Sequence, residues 1–186
     1  MVLFQRQLWL QYSLHGVCLV GVLVCVYALM VEFEKERDPL YQPACDISPA
    51  ISCTRALMSR WSRGLGIVGP LLGEDSLLNQ RNPIFGLAAY TFLIFLGEPR
   101  SSSLVDKINP FVSSIRRMLS SAWSACAYVW LCVGLNLGSL YLAYVLYAHI
   151  QSLCLVCLST YLVNAVLALL AYWRWGLLVA LETKRR

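Results

Sequence analysis

Charge is what this chain lacks. Asp, Glu, Lys and Arg make up only 13% of the 186 residues, against 59% hydrophobic. An ordinary soluble domain carries about 25% charge, so the composition is that of a membrane protein. Histidine is nearly as scarce: there are two, and only His149 stands near a cysteine pair. Zinc needs four ligands, so a zinc centre reads poorly and no metal is expected. His149 and His15 read instead as an interfacial helix-end residue and a residue packed within the first helix. No thioredoxin-like domain is present, so redox chemistry here needs an external electron donor. No lipidation motif fits either terminus, and no nucleic-acid partner is expected.

What is present in quantity is apolar sequence and cysteine. A spanning helix needs about 20 mostly apolar residues. Four segments approach that length, and they predict an all-α integral membrane protein, a four-helix bundle, because unpaired backbone is excluded from lipid. The expected spans are 8–31, 82–97, 122–148 and 153–175, separated by a long loop 32–81 and a connection 98–121, with a tail 176–186. The first span reads as a retained signal-anchor, since only Arg6 precedes it and no small-x-small cleavage site follows before Glu32. Basic residues bias the topology: nine against three acids flank one side, six against seven acids the other. This predicts cytosolic termini and a luminal 32–81 loop. That loop carries a stretch from Arg60 to Gly73 whose basic start and later Leu65, Ile67, Val68, Leu71 and Leu72 suit an interfacial cap as well as a plain packed loop.

Eight cysteines are distributed unevenly. Cys18, Cys25, Cys126 and Cys132 fall in expected helix interiors, where a free cysteine acts as a small hydrophobe. Cys154 and Cys157 form a C-x-x-C at the mouth of the fourth span, and Cys45 and Cys53 lie in the luminal loop with seven residues between them. Each pair has a bland reading, a structural disulfide for the loop pair and apolar packing for the helix pair. Both fall at one membrane face, which makes thiol–disulfide exchange between them possible. The first turn of a helix favours a thiolate. Tyr161, four residues beyond Cys157, shares its helix face. Asn82 at the entry of the second span offers an amide, though helix–helix bonding would also account for it.

In order along the chain, Cys45-Asp46, Cys53, Ser59-Arg60-Trp61 with Arg63-Gly64, Leu78-Asn79-Gln80-x-Asn82, Ile84-Phe85-Gly86, Gly138 to Tyr144 and Cys154-x-x-Cys157 with Thr160-Tyr161 resemble the vitamin K epoxide reductase family. The acidic run Glu34 to Pro39 resembles its vertebrate reductase-like branch. The resemblance implies a luminal cap with a short interfacial helix, residence in the endoplasmic reticulum, and reduction of vitamin K 2,3-epoxide to quinone and of quinone to hydroquinone. It also implies sensitivity to warfarin-type inhibitors, a luminal thioredoxin-like electron donor and no tightly bound cofactor. By position, Cys157 would attack substrate and Cys154 resolve; Cys53 would exchange with Cys154, and Cys45 would receive electrons. Asn82 and Tyr161 would bond the quinone carbonyls, with Phe85 and Trp61 in the pocket and cap.

Two features depart from the family pattern: Pro83 follows Asn82 where serine is expected, and 98–121 is longer than the usual connection. Leu104, Ile108, Ile115 and Met118 recur there at helical spacing beside basic residues, which predicts an amphipathic surface segment. A quinone-coupled disulfide-forming oxidase, using the same cysteines in the opposite direction, is the competing enzyme. A tetraspan protein merely braced by disulfides is disfavoured by the second dithiol beside Tyr161 and Asn82.

Overall fold

A computed structural model describes residues 2–97 and 122–183. The connection expected at 98–121, with its amphipathic pattern, lies outside the described residues. Six helices occur among those described: α1 (Val2–Arg37), α2 (Cys53–Leu57), α3 (Val68–Leu72), α4 (Asn82–Gly97), α5 (Ala122–Val145) and α6 (Leu155–Thr183). Two 3-10 turns, Arg60–Ser62 and Gly64–Gly66, sit between α2 and α3, and a π turn, Leu146–Ile150, extends α5. The protein is an all-α membrane protein. Three of its helices contain stretches long and apolar enough to cross a bilayer: Gln5–Arg37, Ala125–Ile150 and Leu155–Ala180. The 16 residues of α4 rise about 24 Å, somewhat short of the roughly 30 Å hydrocarbon core.

α1 is flanked by α4 and α6, and α6 in turn by α5, so the four long elements form one bundle. α1 and α4 approach closely, and glycine makes it possible. A Cβ at Gly21 would fall 2.7 Å from the Tyr90 ring, and one at Gly86 would fall 2.6 Å from Cys25 Sγ. Close backbone approach through small residues is the usual means of helix association in lipid. Leu14, Cys18, Tyr90, Leu93, Cys132 and Leu167 fill the bundle middle. A polar thread crosses it: Tyr90 Oη donates to Asn164 Oδ1 at 2.8 Å, Asn164 Nδ2 to Ser139 Oγ at 2.8 Å, and Asn136 Nδ2 to the Asn164 carbonyl at 2.9 Å. These bonds satisfy amides that apolar surroundings would otherwise penalise.

Element ends differ from the sequence reading. α1 continues to Arg37 and α6 to Thr183, past residues 31 and 175. A helix satisfies its own backbone, so polar side chains can continue it beyond the apolar stretch. Pro83 sits in the first turn of α4, where its missing N–H has no partner to lose.

Between α1 and α4 the chain folds back as a cap. Gly64, Leu65 and Gly66 all take positive φ (50°, 58° and 69°), a left-handed run that glycine supplies on both sides of Leu65. An antiparallel bridge between Arg63 and Arg81 closes the base of the cap. Leu71 and Leu72 on α3 are exposed, as a segment dipping into an interface requires.

Candidate active site

The cysteine loop is built by a tight turn. Ile51 N–H donates to the Ser48 carbonyl at 2.9 Å while Ile47 and Ser48 N–H both donate to the Ile51 carbonyl, so Pro49 and Ala50 form the tip. The turn brings the Cα atoms of Cys45 and Cys53 to 5.8 Å, and their sulfurs are joined in a disulfide, within the usual span. Asp46 fixes the loop from inside, accepting from Ser52 Oγ at 3.1 Å and from Thr54 N–H at 3.0 Å. Burial would raise the Asp46 pKa, but bonds from Thr54, Ser52 and the Cys53 backbone hold it below the ordinary value. Ser52 caps α2, its Oγ accepting from Arg55 N–H. Cys45, Asp46 and Cys53 place their donor atoms within 4.8 Å of one another. A metal takes thiolates, and these sulfurs are committed to each other.

The loop is stitched directly to the C-x-x-C. Leu153 N–H donates to the Ala50 carbonyl at 2.8 Å and Ser52 N–H to the Leu153 carbonyl at 2.9 Å, a parallel bridge between Ile51 and Leu153. Cys154 stands one residue beyond Leu153 and Cys53 two residues beyond Ile51. Both have no exposed surface, and both belong to one buried cluster with Ala28, Leu57, Leu146 and Val156. The backbone bridge between Ile51 and Leu153 brings the two pairs into one cluster.

Cys154 occupies the position just before α6, and its Sγ accepts the Cys157 backbone N–H at 3.2 Å. That is the bond an N-cap oxygen usually makes with one of the helix's four unpartnered donors. The Cys154 pKa is lowered, chiefly by the hydrogen bond from the Cys157 thiol; burial opposes this, and the Cys157 and Val156 backbone N–H groups assist it. Thiolate character therefore collects on Cys154. Both cysteines of this pair are free thiols.

Below the cap lies an apolar cavity of about 130 Å³. Cys157 and Tyr161 line it from α6, Asn82 and Gly86 from α4, Cys25, Ala28 and Glu32 from α1, and Trp61 and Leu57 from the cap; Cys154 does not reach it. The cap is held by aromatic contacts. Trp61 stacks on His149 with centroids 5.2 Å apart and meets Tyr141 edge-on at 6.5 Å, and Tyr141 Oη donates to the Leu65 carbonyl at 3.2 Å.

Of the residues singled out in the sequence, Cys157, Tyr161, Asn82 and Trp61 meet at this cavity. Phe85 is not among its lining residues and is 38% exposed. Asn82 has a second occupation. Its Oδ1 accepts from Leu65 N–H at 2.9 Å and its Nδ2 donates to the Trp61 carbonyl at 2.7 Å, so the amide clamps the cap and retains one N–H for a ligand. Glu32 was not singled out, yet it is 2% exposed, lines the cavity, and pairs with Arg81 (Oε2 to Nε, 3.3 Å). The available signal was its spacing: four residues after Ala28 and seven after Cys25, on one helix face.

Comparison with known proteins points to one family. The family model described as the vitamin K epoxide reductase family matches residues 13–172. Two rodent proteins named vitamin K epoxide reductase complex subunit 1 align over 157 residues, 84% of this chain and 85% of theirs. The protein from Rattus norvegicus is 40% identical and that from Mus musculus 39%.

Proposed function

The chain belongs to the vitamin K epoxide reductase family, and from that premise we propose that it reduces vitamin K 2,3-epoxide to the quinone, and the quinone to the hydroquinone, in the endoplasmic reticulum membrane. It is a membrane thiol oxidoreductase with two cysteine pairs, Cys45–Cys53 and Cys154–Cys157. α4 is the fourth crossing of the bundle, both termini are cytosolic, and the cap is luminal. The acidic run from Glu34 to Pro39 favours the reductase-like branch.

Electrons enter from a luminal thioredoxin-like dithiol. Its thiolate attacks Cys45 Sγ and releases Cys53 as a thiolate; its second thiol resolves the mixed disulfide and leaves oxidised. Cys53 then attacks Cys154 in an oxidised Cys154–Cys157 pair and frees Cys157. Cys45 attacks Cys53, which restores the first disulfide and releases Cys154 as a thiolate. The reduced pair carries two electrons to the substrate: Cys157 attacks the ring, Cys154 attacks Cys157, and the reduced product leaves as the disulfide forms. Epoxide oxygen departs as water. Tyr161 and the remaining N–H of Asn82 donate to the carbonyl oxygens, where charge develops, and warfarin-type inhibitors occupy the same cavity.

The observation that carries this reading is the division of labour within the C-x-x-C. Cys157 lines the cavity, whereas Cys154, one residue past the bridge from Ile51 to Leu153, is buried in one cluster with Cys53. Epoxide reduction in membranes, run with two reductants, tests it. Cys45→Ala and Cys53→Ala should retain turnover with a small membrane-permeant dithiol and lose at least about tenfold with a thioredoxin-like donor. Equal losses under both reductants would make the loop disulfide structural, and no epoxide reduction by the unaltered chain would remove the activity itself.

A further inference from the structure

Two-electron reduction of a quinone consumes two protons. Cys154 sits at the helix start with the Cys157 N–H on its sulfur, an arrangement that favours its thiolate, and a dithiol that reacts in that form holds one proton. The second must come from a group on the cavity wall. The hydroxyls there are committed to backbone carbonyls: Ser59 Oγ donates to Ala56 at 2.7 Å, Ser62 Oγ to Ser59 at 2.8 Å, and Thr160 Oγ1 to Val156 at 3.0 Å. Tyr161 can donate a hydrogen bond, but a phenol ionises near pH 10 and parts with its proton reluctantly at neutrality.

Glu32 differs from all of these. It is 2% exposed, and while Oε2 is bonded to Arg81, Oε1 is buried with no hydrogen-bond partner. A buried carboxyl oxygen left unpaired costs free energy unless a ligand or its own proton satisfies it. Glu32 also lines a second, polar cavity of about 200 Å³ beside the first, walled by Glu36, Arg60, Arg63 and Arg81. It therefore stands between the apolar chamber that contains Cys157 and a polar one on the side of the exposed Glu36–Arg63 pair.

We propose that Glu32 is the proton donor to the quinone oxygen, reprotonated through the polar cavity. The inference rests on the quinone-reductase reading above. The step balances: quinone, Cys154 thiolate, Cys157 thiol and Glu32 carboxylic acid give hydroquinone, the Cys154–Cys157 disulfide and Glu32 carboxylate. Two electrons leave the sulfurs, one proton comes from Cys157 and one from Glu32. The groups that set the Glu32 charge are Arg81 at its Oε2, Glu36 and Arg63 beyond it, and Cys157 on the α6 wall of the shared cavity.

The test is single-turnover oxidation of the dithiol-reduced protein by a vitamin K quinone and, separately, by bis(4-nitrophenyl) disulfide, whose thiolate leaving group needs no added proton. Glu32→Gln should slow quinone reduction about 10²-fold and leave the disulfide reaction within about twofold of the unaltered chain. Glu32→Asp should recover at least about tenfold over Gln. Quinone reduction by Glu32→Gln at the unaltered rate overturns the proposal. So does an equal loss with both oxidants, or an Asp variant as slow as Gln, since each makes Glu32 a packing residue. If the unaltered chain itself fails to reduce the quinone, the quinone-reductase reading fails instead.

Discussion

The middle of the bundle and its cap end use cysteine in opposite ways. Mid-bundle, Cys18, Cys25 and Cys132 are buried among Leu14, Tyr90, Leu93 and Tyr128. At the cap end Cys53 and Cys154 are just as buried. Burial therefore does not separate inert cysteines from reactive ones. The surrounding backbone does. The mid-bundle thiols sit inside helices whose N–H groups are already spent on their own carbonyls. Cys154 stands at a helix start with a free donor on its sulfur, and Cys53 opens α2 next to the chain crossing at Leu153. Thiolate stability and a sulfur partner come together only where helices begin and strands touch.

The strongest way to break that contrast is to remove one cysteine at a time. Cys154→Ala and Cys157→Ala should each lower epoxide reduction by more than about 10³-fold. Cys18→Ala and Cys132→Ala should keep it within about threefold and instead cost about 1–2 kcal/mol of stability, read as a lower melting temperature in detergent. Mid-bundle variants that lose activity while keeping their stability would contradict the division.

A smaller effect follows from disturbing the register without touching sulfur. Leu153→Pro deletes the N–H that donates to Ala50 at 2.8 Å. Turnover driven by a thioredoxin-like donor should drop about tenfold, while turnover with a small dithiol, which reaches the second pair directly, changes less than about threefold. Loss of both together would mean that the bridge supports the fold alone.

The smallest effect lies at Asp46. Its folded pKa is depressed, so it contributes stability that is fully present above its unfolded value, about 3.9, and lost as pH falls through the lower folded value. Asp46→Asn should cost about 1 kcal/mol near neutrality and flatten the acid limb of the melting-temperature profile. An acid limb identical to that of the unaltered chain would assign the limb to other groups.

Much of this was readable in advance because the membrane simplifies sequence. Apolar runs mark helices, and the position of cysteines relative to those runs sorted Cys18, Cys25 and Cys132 from the four at one face. Side-chain commitments were not readable. Asn82 reads as a ligand for a carbonyl, but its amide holds Leu65 and Trp61, contacts set by three consecutive left-handed residues that no periodicity announces. Phe85 follows Asn82 by three residues, yet α4 turns it outward. Glu32 looked like the polar end of a span. Only the fold closes the cap over it, because the loop returns to place Arg81 at its carboxylate.

The central claim, that electrons cross from the loop to the helix between Cys53 and Cys154, has a direct measurement. In a Cys45→Ala, Cys157→Ala double variant, Cys53 and Cys154 lose their own partners but stay in one buried cluster, two residues past Ile51 and one past Leu153 of the bridge. Peptide mass spectrometry after alkylation of free thiols should find them joined as a disulfide. Recovery of both as alkylated, separate peptides would contradict the account.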